Sequence, residues 1–385
     1  MKKFLRISLL LLILPLLSCA IFLPENHFPE MPACRCIPAF PDKDGWHGGD
    51  GAYSIQIDDQ RTLWLFGDTF VSHEEGRTDR IGMAVILGTT MAISTCSENG
   101  EFEIQYFLKK DNGKFVSSFG DENEWLWPQD PFMVENVLYI PLISIAPTDT
   151  KDLFNFVITG HLFAQIKDFS AHDPHDWPVE YIDMTPVIPA GINAFATTSV
   201  VYEDHVYFYP FYGYSSDQVS VLGNILARIS SERRCHNMGA VEYLHNDGIW
   251  QETLDPSNIK IMLDACVSEL SVRYHADSKK WLAVYLTPQD HGNRLFYQSA
   301  DNLEGPWSKP EPLDVHIPEV DPQSPFYDEN TFCYAGKEHI EFAGDGNLIV
   351  TYVCNSAEDD DEDASFIRRN LFLYRPVVVQ APCCE

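Results

Sequence analysis

Positive charge is what this chain has least of. Its 385 residues carry 26 Lys and Arg against 57 Asp and Glu, a formal charge of −31. So acidic a surface repels phosphate backbones, and no basic groove interrupts it, which argues against nucleic acid as a partner. Long amphipathic helical patterns are missing as well, so a helical fold is not expected. GxSxG, HExxH and P-loop motifs do not occur, and serine hydrolase, zinc protease and NTPase readings lose their usual support. No pair of CxxC units occurs among the ten cysteines, which leaves zinc without a ligand pattern. The run His172 to Trp177 (HDPHDW) is more simply a turn than a metal set.

What is present begins with a targeting segment. Lys2, Lys3 and Arg6 precede an apolar run over residues 7–17, too short to span a bilayer comfortably. Leu16-Leu17-Ser18-Cys19 follows and resembles a bacterial lipobox. Residues 1–18 are therefore expected to be a signal peptide, with Cys19 lipidated and the membrane met only through that lipid. An ordinary cleaved signal is the alternative. Losing Lys2, Lys3 and Arg6 takes the formal charge from −31 to −34. Such acidity suits a face held off an anionic envelope, or a site for neutral or cationic ligands. Residues 19–44, with five prolines, read as a tether. Nine cysteines remain beyond Cys19, and in an oxidising compartment some should pair. Cys34 and Cys36 at one end, with Cys383 and Cys384 at the other, suggest a bridge closing the chain.

From residue 45 to 380 the sequence alternates short apolar or aromatic runs with Gly, Asn, Asp and Pro, the pattern of an all-β domain. Five hairpins stand out: AYSIQI-DDQR-TLWLFG, PFMV-EN-VLYIPLI, TSVVY-EDH-VYFYPFY, LSVRYH-ADSK-KWLAVYL and HIEFA-GDGN-LIVTYV. Their turn centres, Asp59, Asn136, Asp204, Asp277 and Asp345, lie 68 to 77 residues apart. Weaker strand candidates between them bring each unit to about four strands, the size of a propeller blade. A single five-bladed β-propeller over residues 45–380 is the expected fold, since radial packing covers both faces of every hairpin. The acidic run at residues 358–363 lacks the glycine and spacing of an EF-hand and reads as a solvated loop.

The first hairpin carries a carboxylate at each open end, Asp50 and Asp68. Antiparallel partners keep a constant sum of residue numbers, and about the turn at residues 58–61 that pairs Asp50 with Asp68. Two such neighbours repel, which should raise one pKa and leave the other ionised, as an acid–base pair requires. The same offset in the other units selects Asp130 in the second, Glu269 in the fourth, and Glu338 or His339 in the fifth. The third offers only Thr197 or Thr198. Inner strands of a propeller begin at one end of the central channel, so these acids should converge, as in glycoside hydrolysis. Trp46, Trp125 and Trp127 precede the acids of their units and could stack on sugar faces, with His47 and His339 as hydrogen-bonding partners.

The block GGDGAYSIQIDDQRTLWLFGDTF is similar to a family of exported bacterial propeller proteins long known only as a domain of unknown function, some members of which are endo-D-arabinanases. WPQDPF, SELSVRY and SADNLEGPWS extend the likeness over most of residues 45–356. The GPW element is shared more loosely with five-bladed arabinan and xylan hydrolases. The resemblance implies a five-bladed fold, hydrolysis of furanosidic linkages, and essential aspartates at Asp50 and Asp68. Glu269 and Asp130 transfer less directly, and the third and fifth units depart from the pattern.

The expectation is thus a monomeric, envelope-anchored glycosidase that attacks an arabinan-like polysaccharide by inversion and needs no cofactor. Two other classes stay open: a glycan-binding propeller without turnover, and a propeller hydrolase whose acids hold calcium.

Overall fold

A computed structural model describes residues 36–120, 124–148, 156–231, 240–287, 293–344, 346–358 and 365–382. The signal peptide, Cys19 and the tether as far as residue 35 lie outside the described residues. So do Cys34, Cys383, Cys384 and all of the acidic run but its first residue, Glu358. Strands dominate; helix among the described residues amounts to the four-residue Phe366–Arg369 and three 3-10 turns. The fold is a β-propeller.

Eight antiparallel sheets occur among the described residues, and five of them, taken in chain order, carry the main hairpins. The first runs through Tyr53–Gln56, Arg61–Phe66, Thr90–Cys96 and Phe102–Phe107. The second contains Phe132–Val134 and Val137–Pro147, the third Ser199–Tyr202 and His205–Phe208. The fourth opens on Leu270–His275 and Lys280–Thr287, the fifth on Thr331–Glu338 and Asn347–Ser356. Local chemistry sets the turns. Asp58 Oδ1 accepts from the backbone N–H of Gln60 (2.9 Å) and Arg61 (2.7 Å), closing the first. Glu135 and Asn136 both take positive φ (48° and 62°) in the second, the geometry a two-residue hairpin loop needs.

Two-residue periodicity explains why these hairpins are apolar throughout. Leu63 and Leu65 pack with Leu138 and Ile140 of the second sheet, whereas Trp64 and Phe66 between them pack with Phe342 and Ile349 of the fifth unit. In the fourth sheet Ala283 and Tyr285 face Tyr207 and Tyr209 of the third, while Leu282 and Val284 face Val350 and Cys354 of the fifth. Phe132 and Phe163 join Phe208 between the second and third. Each sheet therefore buries both faces against neighbours.

Two expectations need correcting. The inner strand of the fifth unit is Thr331–Glu338, not the HIEFA segment, where Ile340–Phe342 forms a 3-10 turn. A register shift between Tyr334 and Lys337 bends the strand, with Ala335 at φ 54°. Gly336 permits the close approach, for a Cβ there would lie 2.5 Å from Leu286 N. The end-to-end disulfide is overturned at Cys36, which pairs with Cys96, while Cys333 pairs with Cys354 and Cys266 is free. Trp46–Gly49 forms a separate sheet with Thr69–Val71 and Ala84–Ile86. That small sheet is sealed by Arg80, whose buried guanidinium donates to the carbonyls of His47, Ile367, Asn370, Leu371 and Leu373.

Candidate active site

The first hairpin has the register read from its turn: Tyr53 opposes Leu65 and Ser54 opposes Trp64. The pairing continues outward, where Asp50 N–H donates to Asp68 O (2.9 Å) and Gly67 N–H to Asp50 O (2.6 Å). Asp50 and Asp68 are thus neighbours across the mouth of one hairpin. Gly51, at φ 65°, lets the chain turn from the small sheet into the first strand directly after Asp50.

Asp50 opens onto a cavity of about 820 Å³, which Tyr53, Trp127, Gln129, His161 and Glu269 also line. Its Oδ1 accepts from the Tyr334 hydroxyl at 2.6 Å. Asp68 does not line the cavity. It stands behind Trp127, its Oδ1 accepting from Trp127 Nε1 (2.8 Å) and Gly88 N–H (2.7 Å). Glu269, from the fourth unit, accepts at Oε2 from Ser268 Oγ (2.8 Å).

Burial governs these groups more than mutual repulsion does. It pushes Asp50 up to about 7 against the Tyr334 hydrogen bond, with the negative charges of Glu269 and Asp68 adding to the rise. Asp68 goes up to about 6 for the same first reason, held back by its two hydrogen bonds. Glu269 is raised by burial and restrained by Ser268 and the Lys337 ammonium. The expected split, one carboxyl raised and one left ionised, is therefore not what occurs, because dehydration acts on both aspartates alike.

Asp130 has another environment. It is fully buried and does not line the cavity. Burial alone would raise its pKa, but Arg273 and Lys337 overcome that and hold it below the usual carboxylate range. Arg273 Nη2 approaches both oxygens at 3.1–3.2 Å, Lys337 Nζ reaches Oδ1 at 3.1 Å, and Ser199 N–H donates to Oδ2 at 2.7 Å. Lys337 also donates to the carbonyls of Thr197 (3.0 Å) and Leu270 (2.7 Å), and lies 4.8 Å from the Tyr53 ring centre. Asp130 is thus the anion of a buried ionic hub that ties the second to fifth units together.

Of the expected sugar platforms, only Trp127 lines the cavity. Trp125 packs beside Ile143, Ile145 and Ala194 next to it. Trp46 is fully buried and stacked on Tyr106 at 4.5 Å, out of reach of any ligand. His47 is buried in the same small sheet. His339 is buried between Ser54 Oγ (2.6 Å) and Thr351 Oγ1 (2.7 Å), and burial pushes its pKa down to about 3, so it is a neutral core histidine. Sequence reading missed Tyr334, Lys337, Arg273, Gln129 and His161. Arg273 sits in SELSVRY and Gln129 in WPQDPF, so the quoted motifs held them without their roles. Among the described residues no three His, Cys, Asp or Glu side chains are grouped as a metal ion would require.

A family model described as "Domain of unknown function (DUF5005)" matches residues 39–381. No curated protein matches the sequence. Among solved structures, a "putative hydrolase" from Bacteroides ovatus superposes with a TM-score of 0.65 at 16% identity, covering 88% of this chain and 86% of that one. That likeness is one of fold. A GH43_1 enzyme from Xanthomonas citri complexed with xylotriose aligns at a TM-score of 0.44 and 13% identity, over 90% of both chains. An exo-β-1,3-galactanase from Phanerochaete chrysosporium aligns at 0.46 and 11%, over 87% of this chain and 60% of that one.

Proposed function

The chain belongs to this family of undefined function, and from that premise we propose that it is a glycoside hydrolase built on a five-bladed propeller spanning residues 45–380. The observation that carries the reading is the meeting of Asp50 and Glu269, from the first and fourth units, on one cavity beside the indole of Trp127. Burial raises both carboxyls, Asp50 up to about 7, the direction in which a proton-exchanging acid is tuned.

Glu269 would protonate the leaving glycosidic oxygen while Asp50 takes a proton from the attacking water. The water oxygen bonds to the anomeric carbon as the carbon–oxygen bond to the leaving sugar breaks, so the charges balance. Asp68 acts on this pair through its charge and through the Trp127 it holds. Acid and base stand on separate blades, and inversion, which needs a water between them, is the proposed stereochemistry. An arabinan-like, furanose-containing polysaccharide is the substrate class favoured by the resemblance of the first block. We place the mature, monomeric protein in the cell envelope, on the strength of residues 1–19.

The test is incubation with arabinans and a panel of other glycans, beside Asp50→Asn and Glu269→Gln. Release of reducing ends that both substitutions abolish supports the reading. Cleavage surviving both overturns the site. Affinity without cleavage selects the non-catalytic alternative, and activity lost in chelator and restored by Ca²⁺ selects the calcium-dependent one.

A further inference from the structure

Away from Asp50 and Glu269, the cavity wall built by the second and third units is mostly apolar, through Ile143, Phe156, Ile188 and Phe211. Thr159, Thr185 and Asn193 also line it, and two further polar side chains there, Gln129 and His161, carry a buried atom without a partner. Gln129 is 2% exposed, and its Oε1 is engaged by Ala196 N–H at 3.2 Å, which leaves Nε2 as a buried donor without a partner. His161 is 6% exposed, and its Nδ1 is likewise unpartnered. Both side chains line the cavity. A buried polar atom left unpaired is costly; others occur in the core, as at Trp46 Nε1 and Tyr243 Oη, but these two share one cavity wall, where a ligand can reach and complete them.

The chemistry of the pair narrows that ligand. Burial lowers the His161 pKa against a hydrogen bond to the Ile192 backbone, and in the neutral ring Nδ1 donates or accepts according to its tautomer. A sugar hydroxyl does both and satisfies either form, and its oxygen, or a ring oxygen, also accepts from Gln129 Nε2. A carboxylate only accepts. It would moreover enter a cavity already holding Asp50 and Glu269, with no Lys or Arg among the described lining residues. The two nearby cations, Arg273 and Lys337, are committed to Asp130.

We propose that Gln129 and His161 form a binding subsite for an uncharged sugar residue and that the cavity rejects chains bearing uronic acids. The proposal rests on the glycan-directed reading above, but not on turnover. Hydroxyl groups bind between the amide and the imidazole while the sugar's carbon face lies on the apolar wall.

Calorimetric titration of the full mature protein carrying Glu269→Gln tests it. The probes are neutral arabino- and galacto-oligosaccharides and galacturono-oligosaccharides of equal length. A neutral chain should bind at least tenfold more tightly than the acidic ones. Gln129→Met and His161→Phe should each weaken that binding at least tenfold, with melting temperature and far-ultraviolet dichroism unchanged. Equal affinity for the galacturonates, unaltered binding in both variants, or no binding of any neutral chain overturns the proposal. If the unsubstituted protein cleaves nothing yet the charge discrimination and both variant effects hold, the hydrolase reading falls and the subsite stands. If it cleaves arabinan and binds galacturonates equally well, the reverse is true.

Discussion

Tyr334 donates its phenolic hydrogen to Asp50 at 2.6 Å, across 284 positions of chain. One contact thus joins the last unit to the first and holds the carboxyl facing the cavity. A hydrogen bond to an ionised group is worth about 1.5–3 kcal/mol, or roughly one to two pKa units. It opposes the rise that burial imposes on Asp50. Tyr334→Phe should therefore move the acidic limb of the pH–kcat/KM profile upward by about one unit or more. An unmoved limb would show that Asp50 is not the group titrating there.

Asp50→Asn should cut kcat by about a hundredfold or more, the usual worth of a positioned acid or base. Its effect on stability should run the other way. Asp50 titrates near 3.8 when unperturbed and near 7 when folded, so between those values the folded state binds more protons. Stability attached to this group is therefore present below about pH 4 and declines as pH rises through 7. The asparagine variant escapes that decline. Its melting temperature should exceed the parent's at pH 8 and match it at pH 4, and a variant that melts lower at pH 8 would contradict the burial argument.

Asp130→Asn leaves Arg273 and Lys337 buried without their anion. Removing one partner from such a pair costs about 3–5 kcal/mol. Urea unfolding should show a loss in that range, whereas Glu269→Gln, which removes a carboxyl from the cavity wall, should cost far less. A loss below about 1 kcal/mol at Asp130 would mean the hub does not bind the units together.

The two disulfides should differ in worth. Cys36–Cys96 spans 60 positions and Cys333–Cys354 spans 21. Chain-entropy arithmetic gives about 4 and about 3 kcal/mol respectively. Cys96→Ser should thus lower the midpoint of denaturation more than Cys354→Ser. The reverse order would show that the core around Cys333 and Cys354, packed between the fourth and fifth units, outweighs loop length.

Several features were legible before any coordinates, because they depend only on local rules. Strand alternation and turn residues located the first four hairpins, and the constant-sum rule placed Asp50 opposite Asp68. The fifth hairpin was misplaced because a bulge at Ala335 and Gly336 breaks the alternation on which the reading relied. Offset from the turn also selected Asp130 alongside Glu269, yet one is sealed under two cations and the other lines the cavity. Position along a strand says how far a residue stands from its turn, not what covers it.

Chain chemistry by itself determined an acidic, strand-dominated protein with carboxylates at the mouths of its hairpins. Tertiary structure decided which of them face the cavity. Pairing within a hairpin is a contact between near neighbours, whereas the dehydration that raises Asp50, the cations that claim Asp130 and the hydroxyl of Tyr334 all come from distant units. Those contributions add up only once the units have packed against one another.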